Sequence, residues 1–210
     1  YFFGGWYTEP ELINRVTSVT LNTNMTLYAR WTDNPFLDVP DDAYYFDPVM
    51  WAVKNGVTDG TSAITFSPND PCTRAHAVTF LWRAYGSPEP TATENPFSDV
   101  STDNYFYKAV LWAVEQGITL GTSETTFSPN APCTRAQIVT FLYRASKAAS
   151  SGAGVNPFTD VSADSYYYEA VLWAAGAGIT AGTSETTFSP NDPCTRGQIV
   201  TFLYRQLGQA

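Results

Sequence analysis

Pro71-Cys72-Thr73-Arg74 returns as Pro132-Cys133-Thr134-Arg135 and again as Pro193-Cys194-Thr195-Arg196. The interval from Cys72 to Cys133 equals that from Cys133 to Cys194, 61 residues in each case. Upstream, Asn34-Pro35-Phe36-Leu37-Asp38-Val39 recurs as Asn95-Pro96-Phe97-Ser98-Asp99-Val100 and Asn156-Pro157-Phe158-Thr159-Asp160-Val161. Between these landmarks, Gly56-Val57-Thr58-Asp59-Gly60-Thr61 aligns with GITLGT at 117–122 and GITAGT at 178–183. A fixed period of this length marks one supersecondary unit that buries its apolar face against its neighbours. The polar stretches 87–94 (SPEPTATE) and 146–155 (SKAASSGAGV) read as linkers. They leave units at 34–86, 95–146 and 156–208, while residues 1–33 share nothing with the repeat.

Within a unit the pattern predicts helix, loop, short strand, helix, so the chain is mainly α. Tyr45, Val49, Ala52 and Val53 share one helical face. Pro48 is tolerated only near a helix start, which puts the first turn around residues 44–46. Gly56 is placed for a left-handed C-cap and Gly60 for a second tight turn. Thr65-Phe66-Ser67 is long enough only for an edge strand. The second helix opens on Thr73, with Val78, Leu81, Trp82 and Tyr85 as its apolar stripe. Gln137 and Gln198 complete a capping box with Thr134 and Thr195, and His76 fills that position less well in the first unit. Two helices from each of three units predict a six-helix assembly around one core, since one unit alone is marginal.

Composition excludes several functions. With 44% hydrophobic and 15% charged residues the chain can bury a core. Twenty acidic against 11 basic side chains give a formal charge of −9, unsuited to nucleic acid or an anionic membrane surface. No apolar run approaches the ~18 residues of a membrane span, so no membrane insertion is expected. The opening YFFGGWYTEP lacks a basic n-region and an apolar h-region, so any signal peptide is expected upstream. Cys72, Cys133 and Cys194 have no metal-ligand spacing, and they read as buried free thiols. No metal or other cofactor is expected.

Arg74 and Arg83 stand nine positions apart on one helix and therefore on opposite faces at ~100° per residue. Arg83 suits the negative end of the helix, while Arg74 in the first turn opposes the dipole. Such a residue needs a partner or a purpose. One reading is an ion pair with Asp38, Asp70 or an acid of a neighbouring unit. The other is an anion site built from the guanidinium and the free amides of the helix N-terminus. The trios Tyr44-Tyr45-Phe46, Tyr105-Phe106-Tyr107 and Tyr166-Tyr167-Tyr168 point to a sugar site, because aromatic rings offer a flat apolar face and a polar edge. The middle ring is expected in the core, and at least one ring per trio must face a groove.

The pattern NPFxDV…G(V/I)TxGT…FSPN…PCTR resembles the S-layer homology domain, three times over, across 34–210. The resemblance implies a pseudo-threefold six-helix spindle of helix-loop-helix repeats. It also implies a non-catalytic module that anchors exported proteins to secondary cell-wall polysaccharide, often through a pyruvylated sugar, in grooves between repeats. The bacterial cell wall or S-layer would be its location. By the same resemblance the glycan-binding residues would be Arg74, Arg135 and Arg196; Asp38, Asp99 and Asp160; Tyr44, Tyr105 and Tyr166, where the family usually has Trp; and Gly60, Gly121 and Gly182. The glutamate of the family's Thr-Arg-Ala-Glu motif is replaced by His76, Gln137 and Gln198, and its alanine in the third unit by Gly197. Residues 1–33, with a small β segment at Met25–Trp31, resemble the C-terminal part of an internalin-type B-repeat.

Other readings start from the same residues. A glycoside hydrolase needs two carboxylates across a cleft, whereas Asp38, Asp41 and Asp42 sit in one turn, where Asp more often caps a helix. The acidic turn from Asp99 to Asp103 lacks the glycine and closing glutamate of a calcium loop. The aromatic grooves could instead take a neighbouring surface protein of an S-layer lattice, or peptidoglycan itself.

Overall fold

The computed structural model describes residues 1–20, 24–92, 94–148 and 155–208. Most of the 146–155 linker, and Thr93 of the other, lie outside the described residues. Among the described residues, three strands, β1 (Phe2–Tyr7), β2 (Arg15–Val16) and β3 (Tyr28–Thr32), precede six helices. These are α1 (Phe46–Lys54), α2 (Arg74–Ala84), α3 (Tyr107–Glu115), α4 (Arg135–Ser146), α5 (Tyr168–Gly176) and α6 (Arg196–Leu207). The β segment is an antiparallel sheet of order β2-β1-β3, with an irregularity between Phe3 and Gly5. An ion pair between Arg30 of β3 and Asp41 ties it to the first repeat.

The repeats close on one another in a ring. The first helix of each repeat packs on the second helix of the preceding one: α3 on α2, α5 on α4, and α1 on α6. The second helix α2 also packs on both α6 and α4, and one apolar cluster runs through all three repeats. Val49 and Ala52 of α1, and Val78 and Leu81 of α2, enter it as their periodicity predicts. At the axis the cysteines form a cycle of backbone hydrogen bonds, each 2.8 Å: Cys72 N–H to the Cys194 carbonyl, Cys133 to Cys72, and Cys194 to Cys133. All three are buried free thiols, as expected.

Local signals act as read. Gly56 has φ +67°, and its N–H bonds the Val53 carbonyl while Val57 N–H reaches Ala52, a Schellman ending. Thr134 and Thr195 form full capping boxes with Gln137 and Gln198. In the first repeat Thr73 accepts from His76 N–H, and no side chain answers.

The expected edge strand at Thr65-Phe66-Ser67 does not form. Ser67 takes a left-handed φ of +56°, and the Phe66 and Ser67 amides donate to the Asp38 carboxylate at 2.8 and 2.7 Å instead of to a strand. The same occurs at Phe127-Ser128 with Asp99 and at Phe188-Ser189 with Asp160.

Candidate functional site

Each predicted arginine leaves its own repeat and docks in the next. Arg74 Nε donates to the Phe127 carbonyl, Arg135 to Phe188 and Arg196 to Phe66, all at 2.8 Å. Each guanidinium carbon lies 4.8 Å from the centre of that same phenylalanine ring, a stacking geometry worth more away from water. A second ring flanks each one: Phe141, Phe202 and Phe80. The residues are only 3–4% exposed. Burial lowers the pKa of each, yet arginine stays cationic in proteins.

Among the described residues none of the three makes an ion pair, so the ion-pair reading, with Asp38, Asp70 or an acid of a neighbouring unit, gives way to a carbonyl and two rings. The buried Nη2 atoms of Arg135 and Arg196 have no hydrogen-bond partner among the described residues, and that of Arg74 is 3.5 Å from Thr119 Oγ1. The free helix amides of the anion-site reading are also taken. Arg74 and Ala75 donate to the Ala131 and Pro129 carbonyls of the next repeat, and His76 to Thr73 Oγ1. The other junctions repeat this, with Arg135 and Ala136 on Asp192 and Pro190, and Arg196 and Gly197 on Asp70 and Pro68. Closing the ring consumes these donors, which leaves the guanidinium as the cationic element.

The grooves assemble from all three repeats. One, of about 410 Å³, is walled by Gly60, His76 and Arg83 of the first repeat, Tyr105 of the second and Arg196 of the third, with Asp59 at its edge. The next, of about 400 Å³, places Gly121, Gln137 and Arg144 with Tyr166 and Arg74, and has Leu120 where the first has Asp59. Tyr44 borders a smaller depression of about 250 Å³ with Arg205, Asp41, Asp42 and Asp47. A depression of about 490 Å³ near Tyr85 and Trp112 is larger but holds none of the repeated arginines, aspartates or glycines.

Tyr44, Tyr105 and Tyr166 are 62%, 59% and 65% exposed, so the first ring of each trio faces solvent at a groove. Of the middle rings, Phe106 is buried, and Tyr45 and Tyr167 pack against the core. Partial burial raises the pKa of the three exposed tyrosines, against the opposing pull of two arginines on each, so the hydroxyls remain donors at neutral pH. Gly60 and Gly121 let the walls of the two grooves pass close, and Gly182 is equally confined by its own loop. A Cβ on Gly121 would stand 2.5 Å from both Phe97 Cε1 and the Thr126 carbonyl. Asp38, Asp99 and Asp160 do not line the two larger grooves, and they brace the loop behind them.

Arg83 and Arg144 are groove residues that sequence reasoning missed. The nine-residue spacing sets Arg83 on the face opposite Arg74, and the two line different grooves, the ring bringing Arg83 together with Arg196 of another repeat. A signal was present in the equal spacing of Arg83, Arg144 and Arg205.

Comparison with known proteins identifies the family. Residues 35–78, 96–139 and 157–200, more than half of the chain, match the family model of the S-layer homology domain. The chain is 34% identical to the surface-layer 125 kDa protein of Lysinibacillus sphaericus over 62% of its own length and 11% of that protein's. It is 31% identical to an endoglucanase of Bacillus sp. (strain KSM-635), over 78% of the chain and 18% of that enzyme. It is 26% identical to an S-layer protein of Bacillus thuringiensis subsp. finitimus, over 80% and 21%. The chain therefore spans under a quarter of each of these relatives.

Proposed function

This chain belongs to the S-layer homology family, in three tandem copies, and on that premise we propose that it is a non-catalytic anchor holding an exported bacterial protein to secondary cell-wall polysaccharide. Its place is extracellular, in the cell wall or S-layer. The observation that carries the reading is the pairing, in each of two grooves, of an exposed tyrosine ring and a buried guanidinium that has no carboxylate partner among the described residues. A guanidinium there attracts the acidic substituent of a sugar, and the ring stacks on the apolar sugar face. Several weak sites on one rigid ring gain from effective concentration when the ligand is a repeating polymer.

The endoglucanase match fits the same role. The shared part is less than a fifth of that enzyme, and an anchor can be joined to any effector. Residues 1–33 read as part of an internalin-type B-repeat, a module of surface proteins, with β1 to β3 as its strands.

The test is co-sedimentation with purified sacculi, before and after acid removal of the secondary polysaccharide. Binding lost on stripping is the expected result. Tyr44→Ala, Tyr105→Ala and Tyr166→Ala combined should weaken binding at least tenfold without unfolding the chain, since the rings are largely exposed. Undiminished binding by that variant would sink the groove assignment. Binding to stripped sacculi would move the ligand to peptidoglycan, and binding to neither would favour a protein partner in an S-layer lattice.

A further inference from the structure

The two larger grooves match residue for residue except at their edge and at the capping position. Arg196, Arg83, Tyr105 and Gly60 in the first correspond to Arg74, Arg144, Tyr166 and Gly121 in the second. Where the first has Asp59 the second has Leu120, and where the first has His76 the second has Gln137. Asp59 is exposed and makes no ion pair among the described residues. Leu120 is 74% exposed and so presents an apolar lip. The first groove thus offers an acceptor carboxylate together with two guanidinium groups. The second offers two guanidinium groups and a hydrocarbon surface.

We propose that Asp59 makes the first groove selective for an acidic sugar bearing a free amine, while the Leu120 groove favours the N-acylated form of such a sugar. This rests on the reading that the grooves take acidic glycan. The acid group pairs with the arginines in both grooves. An ammonium group is attracted by Asp59, whereas an N-acyl methyl loses water against Leu120. Asp59 is solvent-exposed, and pairs of this kind are worth a few-fold in affinity, not orders of magnitude. The discrimination is therefore about two- to fivefold and weakens as salt is added.

His76 is the sole histidine of the chain and lines the first groove, so its ring signals in an NMR titration report on that groove alone. The probes are muramic acid and N-acetylmuramic acid, which share a lactyl carboxylate and differ in a free amine against an acetamide. At fixed, mildly acidic pH, muramic acid should saturate the His76 shift at about two- to fivefold lower concentration. Asp59→Leu, which puts the second groove's side chain at the edge of the first, should turn that preference toward N-acetylmuramic acid. Equal saturation by the two sugars in the unaltered chain overturns the proposal, as does a preference that survives Asp59→Leu. No His76 response to either sugar also overturns it. Sacculus co-sedimentation on the same preparation then says separately whether the anchoring reading stands.

Discussion

Asp38 and Arg196 close on the same residue from two sides: the Asp38 carboxylate accepts the Phe66 N–H, and Arg196 Nε donates to the Phe66 carbonyl, both at 2.8 Å. One residue is thereby held by the first repeat and the third at once. Asp99 with Arg74 on Phe127, and Asp160 with Arg135 on Phe188, complete the set. Motifs far apart in the chain thus act together on the loop that walls each groove.

A double-mutant cycle measures this. Asp38→Asn removes one of two carboxylate acceptors, and Arg196→Lys cannot both donate to Phe66 and lie flat between two rings. Each should cost about 1–3 kcal/mol in urea denaturation. The pair should show a coupling of about 0.5–2 kcal/mol. Strict additivity would mean that the two contacts do not share a loop equilibrium.

Gly117 and Gly121 separate backbone strain from crowding. Both have positive φ, +68° and +84°, but a Cβ at Gly117 meets nothing within 4 Å, while at Gly121 it strikes the Thr126 carbonyl and Phe97 at 2.5 Å. Gly117→Ala should cost about 1 kcal/mol, the left-handed penalty alone. Gly121→Ala should cost at least about 3 kcal/mol, adding displacement of the packed loop. Equal losses would contradict the close approach.

The parts of this ring were legible in the sequence because each is governed by local chemistry. Periodicity located the helices, Thr134 with Gln137 announced a cap, and Gly56 announced a helix end. The Asp38-braced loop was not legible as such, because the contest between a strand and a side-chain-capped turn at Thr65-Phe66-Ser67 is settled by Asp38, which lies far upstream. The partners of Arg74 were hidden for a related reason. A carbonyl acceptor has no sequence signature, and the repeat that supplies Phe127 is fixed only when the ring closes.

The cysteines should behave as packing residues. Burial pushes the Cys133 thiol up to about 12, and raises Cys72 and Cys194 as well, so almost no thiolate exists at neutral pH. A disulfide reagent should leave the native chain unlabelled and modify all three thiols once urea unfolds it. Labelling should then track the unfolding curve. Rapid modification under native conditions would show that the axis opens locally.

His76→Gln tests whether the first repeat carries a flaw that the other two lack. Gln137 and Gln198 accept a hydrogen bond from the Thr134 and Thr195 N–H, whereas His76 Nδ1 is buried with no partner among the described residues. Burial, reinforced by Arg196, lowers the His76 pKa, while Arg83, Tyr105 and Asp59 line the same groove. The unfolded chain therefore binds a proton more readily than the folded one, and folding favours the neutral ring. The stability this gives is present above the unfolded pKa of about 6.5 and is lost as pH falls from there through the lower folded value. At neutral pH the substitution should add about 1 kcal/mol by restoring the reciprocal hydrogen bond. Its advantage over the unaltered chain should then grow between pH values of about 7 and 5, because glutamine does not titrate. Denaturation midpoints of the two chains measured across that range decide it, and parallel curves would mean that His76 is equally free to protonate when folded.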